Sequence, residues 1–339
     1  MGALPDVMQA VQLDAPGARV SVREVPVPKP GPGEVLVRMA ASPINPSDLA
    51  FLMGAGPQKP FPAIPGIEGS GTVVAAGRGL LPRFLVGKRV ACAAAPTSGG
   101  TWAEYMATPA RRCVPLKRGV SLEQGAMLLV NPLTALAFFD IAKRGKHAAI
   151  VSTAAASALG RMIVRLGARH GVPIINIVRR QSHVELLHSM GAKYVLNTGD
   201  ADFSAQLRTL AYQLNATLLL DALAGRQTAQ LLRAAPAGST VVVYGYLARE
   251  PSVIEATTFL YEEKELTGFY LPNWLAKKGL PQVLRDTSRV QQLAGTDLQT
   301  TVQRRVPLSA VQEALDLYQD NMTAGKVLLV ANQSDVSNG

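Results

Sequence analysis

The segment Ala148–Arg180, AAIVSTAAASALGRMIVRLGARHGVPIINIVRR, decides the fold. An apolar run, Ala148–Val151, enters a turn of small residues, Ser152–Gly160. A helix-period stretch follows, with Met162, Ile163 and Leu166 near one face. A second apolar run, Ile174–Val178, closes on Arg179-Arg180. Strand, tight turn, helix and strand in about thirty residues is the βαβ unit that binds dinucleotides. Small residues let the backbone approach a pyrophosphate at the helix N-terminus, where free N–H groups and the dipole favour anions. An Asp or Glu ending the second strand suits the ribose hydroxyls of NAD, whereas two arginines suit a 2′-phosphate and hence NADPH.

The fingerprint is degenerate. Where G-x-G-x-x-G is expected, the chain reads Ala155-Ala156-Ser157-Ala158-Leu159-Gly160, and only the last glycine remains. A βαβ unit without a ligand is therefore the other reading of this segment. Arg179 and Arg180 read equally as a phosphate clamp or as a solvated pair at a strand end.

Working outward, the chain has 339 residues, 48% hydrophobic and 17% charged, which fits a globular protein of two domains. No apolar run approaches the ~20 residues of a membrane span. The first residues, MGALPDVMQAVQL, carry no charged leader ahead of an apolar core, so no signal peptide is expected. Two cysteines, Cys92 and Cys113, form no C-x-x-C pair, which fits a reducing, cytoplasmic location. The net charge of +10 is spread over pairs such as Arg111-Arg112 and Arg304-Arg305, with no long basic block. A solvated surface and an attraction for anionic cofactors explain it better than nucleic acid.

Residues 8–120 read as β-rich, with alternating runs at Gln9–Leu13, Val20–Val25, Glu34–Ala40, Gly71–Ala76 and Lys88–Ala93. Ser121 is a helix cap, and Pro132 breaks or starts a helix. Strands are expected at Ala148–Ser152, Ile174–Arg179, Tyr194–Asn197, Leu218–Ala222, Thr240–Tyr244 and Leu266–Leu271, alternating with helices. This is an α/β class with a doubly wound parallel sheet. The tail, NQSDVSNG, reads as frayed.

The chain from about residue 8 to 331 resembles the medium-chain dehydrogenase/reductase superfamily. The motifs PGPGEVLVRM, SPINPSDL, PAIPGIEGSGTVVAAG, GGTWAEYM, NPLTAL, GAKYVLNT, DALAG, VVVYG, GFYLPNW and AGKVLLV stand in the family's order. The resemblance implies a GroES-like β-rich catalytic domain (residues 1–129 and 291–339), embracing a doubly wound Rossmann domain (130–290). The cofactor would lie in the cleft between them. At the positions matching the family's zinc ligands stand Asn45, Ile67 and Asn131, none of which suits zinc, although Asp48 and Glu68 remain. The chain is therefore similar to the zinc-independent quinone oxidoreductases and mitochondrial-type 2-enoyl thioester reductases, and no metal is expected. The phenols of those relatives are replaced here by Ala50 and Gly56.

The resemblance also implies the site. Asn45 would face the nicotinamide ribose and the acceptor, or simply form the turn before Pro46. Asn131 and Thr134 would lie near the nicotinamide and pyrophosphate, or form an N-cap before a proline-started helix. Ser157, Ala158 and Leu159 would offer backbone N–H groups to the diphosphate, with Arg179 and Arg180 on the 2′-phosphate. Asn197 and Thr198 would sit near the adenosine half. Tyr244, Gly245, Phe269, Tyr270 and Leu271 would flank the nicotinamide. Lys326 would reach the cofactor, or be a solvated lysine at a strand start. Tyr244, Tyr246 and Tyr270 are substitute phenols or packing residues, and Asn45, Tyr244 and Tyr270 are the catalytic candidates. The expected activity is NADPH-dependent hydride transfer to a quinone, an enal or another activated C=C bond. Reduction of enoyl thioesters with a displaced proton donor is an alternative, and a non-catalytic NADPH-binding sensor or scaffold is another. A homodimer paired through Leu266–Leu271 is expected, with a covered sheet edge in a monomer as the other reading.

Overall fold

The computed structural model describes residues 4–55, 60–96 and 98–331. Gly56 and the tail Asn332–Gly339, on which two of the expectations above fall, lie outside the described residues. The chain divides into two units. One runs to Val130 and takes in Thr287–Ala294 and the stretch from Thr300; the other holds Asn131–Asp286 and Gly295–Gln299.

The first unit opens with an antiparallel pair, β1 (Val7–Gln12) and β2 (Ser21–Pro26). Next come β3 (Glu34–Pro43), the helix α1 (Pro46–Leu52), β4 (Glu68–Ala76), the short helix α2 (Leu80–Leu85) and β5 (Arg89–Ala93). Strands β6 (Tyr105–Pro109) and β7 (Cys113–Pro115) and the helix α3 (Leu122–Ala126) complete this piece. Ser121 caps α3, its Oγ accepting the Gln124 N–H at 3.1 Å. The inward faces of β3, β4 and β5 carry Val35, Val37, Val73, Val90 and Cys92, which pack with Leu85, Met106 and Cys113. Cys92 and Cys113 are direct partners across β5 and β7, both buried and both free thiols.

The second unit starts with α4 (Asn131–Arg144), with Pro132 in its first turn, where the missing N–H costs nothing. Strands β8 (Ile150–Ser152), β9 (Ile174–Val178), β10 (Tyr194–Asn197), β11 (Leu218–Asp221), β12 (Thr240–Val243) and β13 (Glu265–Gly268) follow. Helices α5 (Ala158–His170), α6 (Gln181–Ser189), α7 (Phe203–Gln213) and α8 (Arg226–Ala234) connect the first five of them. Among the described residues the sheet is six-stranded and parallel, in the order β10-β9-β8-β11-β12-β13. Its order reverses beside β8, the switch point where open α/β sheets bind ligands. All five residues of β9 are buried, as a strand covered on both faces requires. Gly160 lets α5 cross close over the preceding turn: a Cβ there would meet the Ala155 carbonyl oxygen at 2.3 Å.

The last strand is shorter than the apolar run Leu266–Leu271 suggests. β13 ends at Gly268, opposite the last residue of β12, and Leu271 opens a further helix. After α9 (Thr257–Leu260), α10 (Leu271–Ala276) and α11 (Leu280–Leu293), the chain returns to the first unit with β14 (Val302–Pro307), α12 (Val311–Asp320) and β15 (Lys326–Val330). There β15 lies between β14 and β3, giving the sheet order β14-β15-β3-β4-β5-β7, with β6 also on β3. The fold is thus α/β, a GroES-like β-rich unit and a Rossmann unit.

Candidate active site

In the first unit, polar side chains meet beneath the head of α1. Asn45 is the N-cap of that helix, with extended backbone and Pro46 behind it, so the turn reading holds. It is also 1% exposed, and its side-chain amide is tied into a buried network through both its oxygen and its nitrogen. Its Nδ2 donates to Glu68 Oε1 at 3.1 Å, and its Oδ1 accepts a short hydrogen bond from Lys326 Nζ. Lys326 Nζ also donates to the Ile44 carbonyl at 3.0 Å and lies 5.6 Å from the ring centre of buried Tyr318. Glu68 Oε2 accepts the Leu129 and Val130 N–H groups at 3.1 and 2.9 Å. Asp48 Oδ2 accepts the Asn45 N–H at 2.8 Å.

Both carboxylates and the lysine are sealed from water. Burial pushes Asp48 up to about 7, against the Asn45 N–H and Lys326, which favour its charge. Burial raises Glu68 too, opposed chiefly by Lys326. It lowers Lys326 to about 8, although both carboxylates favour the ammonium. Burial thus disfavours charge on all three groups, while the opposite charges of Lys326 and the two carboxylates favour it. Lys326 is not a solvated strand-start lysine, because β15 carries it into the core of the unit and its ammonium is held by Ile44 and Asn45.

In the second unit, the remaining expected residues stand at the C-terminal edge of the parallel strands. Ser157 caps α5, its Oγ accepting the Gly160 N–H at 3.1 Å. Its own N–H is not free for a diphosphate, since it donates to the Ala154 carbonyl at 2.9 Å. Ala158 and Leu159 hold the first two N–H groups of α5, which have no partner within the helix. Arg179 and Arg180 are exposed at the end of β9. Asn197 and Thr198 end the neighbouring strand, with the Thr198 N–H on the Val178 carbonyl at 2.9 Å.

Two residues join this group that the sequence reading passed over. Burial lowers His183, and the charges of Arg180, Arg161 and Arg179 lower it further. Arg161 stands in the first turn of α5 and His183 in the first turn of α6, so two helix starts bring four basic side chains together. Their signal was the short offset of each from a helix N-cap, Arg161 after Ser157 and His183 after Arg180.

At the β12 and β13 edge, Tyr244 and Phe269 pack on Phe138 of α4, with ring centres 4.9 and 5.0 Å away. Thr134 and Asn131 lie one and two turns before Phe138 on the same face of α4. The Tyr244 hydroxyl is buried with no hydrogen-bond partner, and burial beside Asp221 pushes its phenol well above its usual range. Burial thus disfavours ionisation of the Tyr244 phenol, whose ring packs on Phe138. Tyr270 is 51% exposed at the N-cap of α10 and Tyr246 is exposed as well, so both phenols are open to solvent. Gly245 is held close to the chain, where a Cβ would meet the Ala222 carbonyl oxygen at 2.4 Å.

Residues 31–118 match the alcohol dehydrogenase GroES-like domain, and residues 158–289 match the zinc-binding dehydrogenase domain. A mitochondrial enoyl-[acyl-carrier-protein] reductase of Caenorhabditis elegans is 30% identical over 261 residues, 74% of this chain and 73% of that protein. The crystal structure of a candidate NADPH:quinone reductase from Mesorhizobium loti is 33% identical with a TM-score of 0.89, covering 97% of this chain and all (100%) of that one. The chain belongs to the medium-chain dehydrogenase/reductase superfamily. Within that superfamily, the Arabidopsis thaliana mitochondrial enoyl-[acyl-carrier-protein] reductase is 29% identical over 249 residues, which are 72% of this chain and 66% of that protein.

The superfamily's zinc chemistry does not fit the residues present here. Asn45 is a neutral amide already bonded to a lysine ammonium, and Ile67 is an alkyl group. Among the described residues, no three His, Cys, Asp or Glu side chains stand together to hold a metal.

Proposed function

We propose that this chain is an NADPH-dependent, zinc-independent oxidoreductase that passes hydride to a quinone or to a C=C bond conjugated to a carbonyl. The observation that carries the reading is the group of Arg161, Arg179, Arg180 and His183 around the strand end that follows α5. Four basic side chains beside Asn197 and Thr198 suit a 2′-phosphate, and the Ala158 and Leu159 N–H groups suit a diphosphate. The names of the relatives, NADPH:quinone reductase and enoyl reductase, support the same chemistry.

A bound nicotinamide supplies the hydride. The chain's own part is to orient and to stabilise charge. Asn45 is locked through Oδ1 and one Nδ2 hydrogen, so its second Nδ2 hydrogen has a fixed direction, and we assign it to the nicotinamide ribose or the acceptor oxygen. Quinones and enals delocalise the incoming charge onto oxygen and need little acid, which suits a site where Tyr244 is sealed. Water or the exposed Tyr270 supplies the proton. Asn131, Thr134, Gly245, Phe269 and Leu271 shape the nicotinamide end.

The test is NADPH oxidation against a para-quinone, a reactive enal and a crotonyl-type thioester. The quinone or enal is expected to give the higher kcat/KM. Names of the curated relatives favour a second reading, 2-enoyl thioester reduction, and a thioester that wins by a wide margin would establish it. Stoichiometric NADPH binding without turnover on any acceptor would make the chain a sensor. Elemental analysis should find no zinc that is lost together with activity. We also propose a homodimer paired through β13, whose four residues are all exposed on the sheet edge. We also propose a cytoplasmic setting, which the low cysteine count, two with no C-x-x-C pair, supports.

A further inference from the structure

The outer face of α2 is apolar where a surface helix is normally polar. Pro82 and Leu85 anchor it on the core, and it packs against β3, β4 and the turn Ala110–Arg112. The residues turned outward are Leu80, Leu81 and Phe84, at 88%, 50% and 65% exposure. Around them stand Arg78, Arg83, Lys88 and Arg111, all exposed, with Lys88 Nζ 5.1 Å above the Phe84 ring. Residues 69–122 contain eight basic side chains and one acid, Glu104, whose carboxylate already accepts the Gln9 N–H at 2.8 Å.

We infer that this knob docks the protein on the surface of a bilayer containing anionic lipids. Three exposed apolar side chains on one short helix enter the headgroup boundary, and the cations around them meet the lipid phosphates and carboxylates. A soluble anion would use the cations and leave the exposed leucines and phenylalanine unexplained. A protein partner needs roughly 800 Å² on each side for a stable interface, more than three side chains on a six-residue helix offer. No helix of the described chain is long and apolar enough to cross a membrane, so the contact is peripheral. The inference rests on surface chemistry and is independent of the hydride acceptor.

The experiment is co-sedimentation of the full chain with vesicles of phosphatidylcholine alone, and of phosphatidylcholine mixed with phosphatidylserine. The wild type is expected to bind the mixed vesicles, to bind the neutral ones at least tenfold less, and to dissociate as salt is raised. Arg83→Gln should weaken binding about fivefold, and Leu80→Ser with Leu81→Ser and Phe84→Ser at least tenfold. The changed side chains are exposed, and an unchanged unfolding temperature confirms that each variant is folded. Absence of binding, equal binding to both vesicle types, or full binding by the triple variant overturns the inference. A fall in the light-scattering mass of the triple variant, with vesicle binding unchanged, would instead assign the face to a second copy of the chain.

Discussion

Lys326 shows what a buried cation does when its partners are fixed. It is 2% exposed beside two carboxylates, so each charge in the cluster depends on the others. Lys326→Met should therefore destabilise the chain by about 3–5 kcal/mol, the cost of stranding buried charge. Urea unfolding at neutral pH measures it, and a loss below about 1 kcal/mol, the worth of an exposed pair, would contradict the network. Asp48 gives a signed pH effect. Its folded pKa of about 7 lies above its ordinary value of 3.8, so the folded state holds a proton that the unfolded state has lost between them. Stability contributed by this group is full below about pH 4 and is lost as pH rises to 7. The advantage of wild type over Asp48→Asn should thus shrink by at least about 1.4 kcal/mol, one pKa unit, across that range. Denaturant midpoints at pH 4.5 and 7.5 for both proteins check it. The sequence showed Asn45, Asp48 and Glu68 as leftovers of a metal site. It did not show their cation, because Lys326 lies 281 residues from Asn45 and no local spacing links them.

Elements were more legible than sites. The strand Tyr194–Asn197 stands where its apolar run lies, and Ser121 caps the helix its position announces. These are local signals, of alternation and of capping chemistry. β7 and β14 were passed over, the first being only three residues long and the second, VQRRVP, interrupted by two arginines. Arg179 and Arg180 belong to this scale, since their meaning comes from ending β9 beside the starts of α5 and α6. A charge-assisted phosphate contact is worth about 1.5–3 kcal/mol. Arg179→Ala with Arg180→Ala should then cut the ratio of kcat/KM for NADPH over NADH by tenfold or more. An unchanged ratio would leave the pair as solvated strand-end residues.

At the scale of the whole molecule, the exposed sheet edge at β13 is the basis of the proposed homodimer. Leu266 in the strand and Phe259, Leu260 and Tyr261 before it are exposed, and an edge of this kind pairs with another copy. Light scattering at micromolar concentration should give the mass of two 35.9 kDa chains, and Leu266→Lys with Tyr261→Lys should shift it toward one. A single-chain mass for the wild type would count against the pairing. The insertion of β15 between β14 and β3 has a consequence for synthesis. A chain leaving the ribosome exposes β3, β4 and the carboxylates of Asp48 and Glu68 long before Lys326 is made. The Rossmann unit has all six of its strands by Gly268, and domains fold as units during translation. The inserted unit is therefore complete before the β-rich unit around it, which closes only when Lys326 of β15 arrives beside Asp48 and Glu68, acids translated 278 (326 − 48) and 258 (326 − 68) residues earlier.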